Sequence, residues 1–322
     1  MAVCMCFKNA RERRGRRNMK RNLCVVSLIV LATSVLAGGF RLREENDFFA
    51  PNNHDHYYTQ GLQLDYVGDA ETNKNGDVTR HLYGLRNIFY TPSDISIPEP
   101  QPDDRPWAGL TALSYTTWER SDKEFVRGEW LLGVVGEWSC SEEIQTQFHY
   151  LIGSGKPMGW SNQIPNEVVV NYTTERYRPV WMAGSYDSWG SDLAGVYGGA
   201  LGTAFIYGEA GLMLRAGWNL PKDYKSGVII PTAVRESPWS AYVFADLSEK
   251  LMLHNVMLGG SFFQDGPKQD LRPFVADGVV GASVGYGGFE LAYVLDYRSR
   301  EFYGQDDIEH FGSVTMSYMR EF

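Results

Sequence analysis

Beyond residue 37 this chain has no apolar run long enough to cross a bilayer as a helix, yet strand-length segments of alternating polarity recur to its end. A membrane helix needs about 20 predominantly apolar residues. The one long apolar run, Leu23 to Ala37, stands near the start. In 61–66, Leu62, Leu64 and Tyr66 share one face of an extended chain, while Gln63 and Asp65 share the other. Near the end, Val314, Met316, Tyr318 and Phe322 alternate with Ser313, Thr315, Ser317 and Glu321. Strands that face lipid with only every second residue cross a membrane while staying polar on average. A mean hydropathy of -0.31 with 14% aromatic residues, tyrosine leading, suits that arrangement.

Twelve strands are expected, at about 39–46, 58–67, 80–90, 107–118, 126–136, 172–186, 193–204, 207–218, 239–250, 275–286, 288–298 and 312–321. Their number is even, as in single-chain bacterial barrels. Tight glycine links are expected around 205–208 and 286–288, and long ones at 47–57, 91–106, 137–171, 219–238 and 251–274. The expected fold is all-β: a twelve-stranded antiparallel transmembrane β-barrel, short turns on one rim and long loops on the other. A soluble sandwich also alternates. The leader, the even count and a terminal Phe322, which resembles the signal read by barrel-assembly machinery, favour the barrel.

Residues 1–37 read as a signal peptide, and 38–322 as one barrel domain. Arg11 to Arg21 supply the positive end, Leu23 to Leu36 the apolar stretch, and Val35-Leu36-Ala37 the cleavage site. Met19, before Lys20 and Arg21, resembles a more ordinary start. Removal of eight Lys and Arg with one Glu takes the net charge from -9 to -16. So acidic an exported chain does not suit nucleic acid; it suits a surface where divalent cations bridge anionic groups. Cys140 is the one cysteine in 38–322, so that domain is expected to close through its strand ladder rather than a disulfide.

One loop differs in kind. Residues 141–152 read as a helix, with Ser141 as a cap, acids in the first turn and Gly153 as the stop. Ile144, Phe148, Leu151 and Ile152 form its apolar stripe, while Gln145 and His149 share another face. A neutral His149 there can take a proton from water. Asn46-Asp47, where the first strand meets a polar loop, offers hard oxygen ligands of the kind calcium takes. Thr59 shares the parity of Gly61 and Gln63 and is therefore expected to point inward. His54-Asp55-His56 reads as loop, since two histidines without a third ligand make a weak metal signal. There is no glycine-rich phosphate loop, no paired-cysteine motif and no Gly-x-Ser-x-Gly elbow.

These residues resemble the lipid A 3'-O-deacylase family, the LpxR-like outer-membrane proteins. The resemblance rests on an ordered set: Glu45-Asn46-Asp47-Phe48-Phe49, Tyr57-Tyr58-Thr59-Gln60-Gly61-Leu62, Ile88-Phe89-Tyr90-Thr91-Pro92-Ser93-Asp94 and Asp104-Arg105-Pro106-Trp107-Ala108-Gly109. It continues through Leu132-Gly133-Val134-Val135-Gly136, Gln145, His149, Ile152-Gly153 and Gly159-Trp160-Ser161-Asn162-Gln163-Ile164. Arg272-Pro273-Phe274-Val275-Ala276-Asp277 and Arg298-Ser299-Arg300-Glu301-Phe302 complete it.

The resemblance implies a twelve-stranded barrel and a calcium-dependent ester hydrolase acting on lipid A or lipopolysaccharide in the outer leaflet. Its site would lie between the barrel wall and the loop helix, with a mechanism resembling that of secreted phospholipase A2. Asn46 and Asp47 would shape the Ca2+ site, Gln145 would lie near the ion, Thr59 would position groups, and His149 would activate water. Two places depart from the family pattern. Some members carry a glutamate six residues after the histidine, where this chain has Gly155. Some place a basic pair after the third strand, where 91–104 is acidic and proline-rich and Arg105 is the nearest cation. The alternative is a non-catalytic structural or adhesive barrel of the same fold. A solute pore is a third reading, disfavoured by the bulky inward charges Arg41, Arg43 and Asp65.

Overall fold

A computed structural model describes residues 38–51, 57–221, 224 and 239–320. The signal peptide over 1–37, the His54-Asp55-His56 loop and the terminal Phe322 lie outside the described residues. Thirteen strands form one antiparallel sheet: β1 (Gly38–Asn46), β2 (Tyr57–Val67), β3 (Glu71–Thr72), β4 (Val78–Thr91), β5 (Ala108–Arg120), β6 (Phe125–Val135), β7 (Glu167–Gly184), β8 (Trp189–Gly202), β9 (Phe205–Trp218), β10 (Trp239–Asn255), β11 (Phe274–Tyr286), β12 (Phe289–Arg298) and β13 (Glu309–Arg320). β3 is a two-residue flap on β4. The other twelve pair with their chain neighbours, and β1 with β13, so the sheet closes into a twelve-stranded barrel. Closure leaves no strand edge unpaired, which is the condition for crossing hydrocarbon. Each of the twelve expected strands corresponds to one barrel strand.

Directly paired residues share a face, so one register row identifies the outer wall. Leu42, Leu64, Leu85, Leu113 and Leu132 follow one another across β1, β2, β4, β5 and β6. Leu85, Leu113 and Leu132 are each at least half exposed, so this leucine row belongs to the lipid-facing band.

The opposite parity fills the lumen with paired charges. Arg41 meets Asp65 at 2.7 Å, Arg86 meets Glu129 at 2.7 Å, and Arg215 meets Asp192 at 2.5 Å. One apolar cluster, around Trp118, Phe125 and Met213, packs toward the end that carries the chain termini. Another, around Tyr58, Leu110 and Phe311, packs toward the far end. A lumen packed with side chains does not suit the solute-pore reading.

Strand direction sorts the links between two rims. With the termini lie 68–77, 121–124, 185–188, 219–238 and 287–288; at the far rim lie 47–56, 92–107, 136–166, 203–204, 256–273 and 299–308. The sorting into short turns and long loops therefore has three exceptions. The long links 68–77 and 219–238 share the rim of the short turns, and the tightest far-rim link is Thr203-Ala204. Link length follows composition, whereas the rim follows only from whether a link has an odd or even place in the order.

Candidate active site

The far rim of the outer wall carries the candidate residues. Asn46, Gln60, Phe89 and Gly109 form one register row across β1, β2, β4 and β5, two residues above the row of Leu62 and four above the leucine row. At about 3.4 Å per residue the candidate row stands about 14 Å above those leucines along the strands. Asn46 therefore faces outward. It closes β1 and caps the 3-10 turn Asp47–Phe49, its Oδ1 accepting from the Phe48 N–H at 2.9 Å. That turn folds down the outside of the barrel, where the outward Tyr293 donates its hydroxyl to the Phe49 carbonyl at 2.5 Å. The fold-back buries Asp47, leaving it 6% exposed.

Thr59 faces outward too, which corrects the inward expectation. Tyr58 pairs with Tyr90 and Gln60 with Phe89, so Thr59 is the extra residue of a β-bulge. A bulge shifts the register by one and reverses every parity argument carried across it. The Thr59 hydroxyl meets that of Thr91 at 2.8 Å, and Thr91 shares the face of Phe89. Beside the bulge, Tyr57 has φ of 66°, a left-handed setting rare for a bulky residue. Such strain concentrates at functional sites, at roughly 1–3 kcal/mol each.

The expected loop helix, α1 (Ser141–Ile152), is present and lies against the same outer wall. Cys140, at φ of 58°, precedes it, and Ser141 is its first residue rather than its cap. The foot is fastened to the wall by Asn87 of β4, whose Nδ2 donates to Thr111 Oγ1 at 2.7 Å and to Ser141 Oγ at 3.1 Å. Gly109 makes the close approach possible: a Cβ there would lie 2.3 Å from both Ser139 Oγ and Ser141 Oγ.

α1 buries its polar side. Ser141, Gln145 and His149 are buried, whereas Phe148, Tyr150, Leu151 and Ile152 are exposed. Of the expected apolar stripe, Ile144 alone turns in, against Phe89, Trp107 and Trp160. An amphipathic helix normally turns its apolar face to the protein, because water lies on the other side. Here the helix lies outside a membrane barrel, and that rule is inverted.

His149 is held by its own loop. Gly153, at φ of 75°, ends α1, and the chain turns back so that the Gly155 carbonyl receives His149 Nδ1 at 2.6 Å. A carbonyl only accepts, so Nδ1 carries a proton, and in the neutral ring the lone pair is then on Nε2. Nε2 has no protein partner among the described residues. The position where some relatives carry an acid thus contributes its backbone instead. Gln145, one turn before His149, accepts from Trp160 Nε1 at 2.7 Å through Oε1. Trp160 is wedged between Phe89 and Trp107. A contact chain therefore links the two halves of the site: Asn46 to Gln60 to Phe89 through the sheet, then Trp160, then Gln145.

No group of three or more His, Cys, Asp or Glu able to hold a metal occurs among the described residues. Asp47 and Asn46, neighbours in the chain, offer a carboxylate and an amide oxygen, both hard donors. They fit calcium in kind, with backbone carbonyls and water completing a shell of six to eight. A single carboxylate places such a site toward the weak end of calcium affinities.

Arg105, the nearest cation after β4, is not available to an anionic ligand. It is wholly buried, meets Glu301 at 2.6 Å and Glu309 at 3.6 Å, and lies 3.7 Å over the Tyr90 ring. Burial works against its charge, but Glu301 and Glu309 outweigh burial and raise its pKa. Glu301 is driven up by burial and down by Arg105, and the net shift is downward. Beside Tyr57 a cavity of about 300 Å³ is lined by Ser93, Gln101, Asp103, Asp104 and Asp306, an acidic setting. Sequence reading missed the outward polar pair Glu44 and Gln60, joined at 3.1 Å, as well as the Asn87 tie and the Trp160 lock. Glu44 was legible as a charge on the parity of Leu42; the other roles depend on contacts between distant segments.

Among curated proteins none matches this chain. Among solved structures it is similar to LpxR from Salmonella typhimurium, with a TM-score of 0.75 at 18% identity, over 88% of this chain and 100% of that one. The β domain of the Bordetella autotransporter BrkA gives a TM-score of 0.47 at 9% identity, over 88% and 98%. The model of the family described as outer membrane protein LpxR matches residues 22–320, so this barrel belongs to the LpxR family of outer-membrane proteins.

Proposed function

We propose that this chain is a calcium-dependent ester hydrolase of the outer leaflet that releases an ester-linked acyl chain from lipid A. The observation that carries the reading is His149: buried, with Nδ1 committed to the Gly155 carbonyl and Nε2 free, on the helix face turned toward the barrel wall. Family membership supports the substrate class, and outward-facing Asn46 and Thr59 support a site that opens to the membrane rather than the lumen. The inverted helix supports the same view, since an apolar face directed outward suits acyl chains.

The chemistry follows from the tautomer. His149 Nε2 takes a proton from water as the water oxygen bonds to the ester carbonyl carbon. The tetrahedral intermediate then collapses: the bond to the alkoxy oxygen breaks, His149 returns the proton to that oxygen, and a carboxylic acid and an alcohol leave. Calcium, held by Asp47 and Asn46, would supply polarisation of the carbonyl and stabilisation of the developing oxyanion. Thr59, fixed by Thr91, would orient groups at the wall. Before any of this, barrel-assembly machinery would insert the chain.

The test is mass spectrometry of lipid A from a lipopolysaccharide-bearing host expressing the chain with calcium, beside His149→Ala. Loss of a 3'-linked acyl group with the parent alone supports the reading. Equal loss with both removes His149 as the base. No loss with either, while both are folded in the membrane, moves a non-catalytic barrel to the front. Two observations favour that second reading: Gly155 stands where an acid is expected, and Arg105 is sequestered.

A further inference from the structure

Gln145 is 1% exposed, and its amide has one satisfied end. Oε1 accepts from Trp160 Nε1 at 2.7 Å, while Nε2 is buried with no partner among the described residues. The orientation is dictated by chemistry. An indole N–H donates and cannot accept, so the atom facing it must be the amide oxygen. Trp160 itself cannot turn, packed with ring centroids 5.0 Å from Trp107 and 5.9 Å from Phe89. The NH2 group is therefore held in one direction, away from Trp160. Burying a donor without an acceptor is costly, and each such group calls for a reason. An amide NH2 offers no lone pair to a cation, so Nε2 serves an oxygen acceptor and not an ion. Gln145 and His149 are four residues apart on the buried face of α1, about 5–6 Å between Cβ atoms. That spacing suits a carbonyl oxygen on one group and an attacking water on the other.

Building on the hydrolase reading above, we propose that Gln145 is a catalytic residue whose Nε2 donates a hydrogen bond to the ester carbonyl oxygen as it becomes an oxyanion, and is not a calcium ligand. As the water oxygen bonds to the carbonyl carbon, the C=O π electrons move onto the oxygen facing Nε2. They return when the alkoxy bond breaks, with the proton passing through His149 to the leaving oxygen. Trp160 is the positioning residue that holds the amide in its donating orientation.

The experiment uses the full-length chain purified in detergent, acting on lipid A in mixed micelles with calcium. Gln145→Met removes the donor at nearly constant length; Gln145→Glu keeps an oxygen for Trp160 and replaces the NH2. Heat-modifiable gel migration reports whether each barrel is folded, and whichever variant folds carries the test. The expected result is a fall in kcat of about 100- to 1000-fold, the range for losing one oxyanion donor. KM stays within about twofold, and for Gln145→Met calcium affinity by titration calorimetry is unchanged. Trp160→Phe is expected to lower kcat less, in the same direction. Weakened calcium binding in Gln145→Met, with activity restored at high calcium, would overturn the donor role in favour of a ligand. Wild-type kcat in a folded variant would overturn it in favour of a purely structural amide. A parent chain that releases no acyl group defeats the hydrolase reading itself, an outcome distinct from both.

Discussion

Gly109→Ala adds one methyl group to the outer wall and is expected to lower turnover while the barrel still folds. Its Cβ would sit 2.3 Å from Ser139 Oγ, 2.3 Å from Ser141 Oγ and 2.5 Å from Ser141 Cβ. Real Cβ contacts do not fall below 3.0 Å, so the helix foot must retreat by at least about 0.7 Å, and by about 1.1 Å to reach ordinary contact. The hydroxyls cannot simply rotate away. Ser139 Oγ donates to the Gly136 carbonyl at 2.6 Å, and Ser141 Oγ accepts from Asn87. The displacement therefore passes to α1 and its buried residues, Gln145 and His149. A misplacement of about 1 Å can cost about 100-fold in rate. Overpacking of this kind costs about 1–3 kcal/mol, and the strand ladder faces none of it, so the barrel still closes. Acyl release per folded barrel is the assay, with gel heat-modifiability as the folding control. Ser141→Gly in the Gly109→Ala background, which deletes two of the three clashing atoms, should recover part of the lost turnover. Full turnover in Gly109→Ala would refute the reasoning, because the foot of α1 would then not set the position of His149.

Two further outcomes test the frame around the site. Asp192→Ala removes the ion-pair partner of Arg215, which is fully buried in the lumen, and should lower barrel stability by about 3–5 kcal/mol in denaturant titrations from lipid vesicles; Asp192→Ala with Arg215→Met should be milder. The Arg105–Glu301 tie between two far-rim loops should weaken in acid. Glu301 has a depressed pKa, so its contribution is complete above the ordinary glutamate value near 4.3 and is lost as pH falls through its lower folded value. Protease cleavage within 92–107 and 299–308 should thus not rise until pH falls below about 5, whereas cleavage rising already near pH 6 would contradict it.

The barrel was legible because its signal is repeated. Twelve segments each carry the same period of two, and one ambiguous boundary displaces nothing else. β7 begins at Glu167 rather than near 172 because Val168-Val169-Val170 is continuously apolar and hides its own alternation. Assigning loops to rims was weaker, since it rests on order alone, and 219–238 and 203–204 exchanged places for that reason.

The site was legible as a set of residues but not as a geometry. Asn46, Asp47, Thr59, Gln145 and His149 are all buried at one rim on one wall, yet the side of that wall was misjudged at Thr59 by a single inserted residue. Parity is an argument carried step by step, so a bulge defeats it completely rather than slightly. The helix is the complementary case. Its periodicity located two faces, and which of them meets the wall is not a property of periodicity. Both points have one cause: the site is outside the barrel. There, polar side chains face lipid unless something covers them, and the cover available is a loop that brings polar groups inward and presents apolar ones outward. α1 and the 3-10 turn at Asp47 provide that cover from opposite ends of the Asn46–Gly109 row. Glu44, a charge on the parity of Leu42 and Leu64, sits beside that cover and is paired there with Gln60.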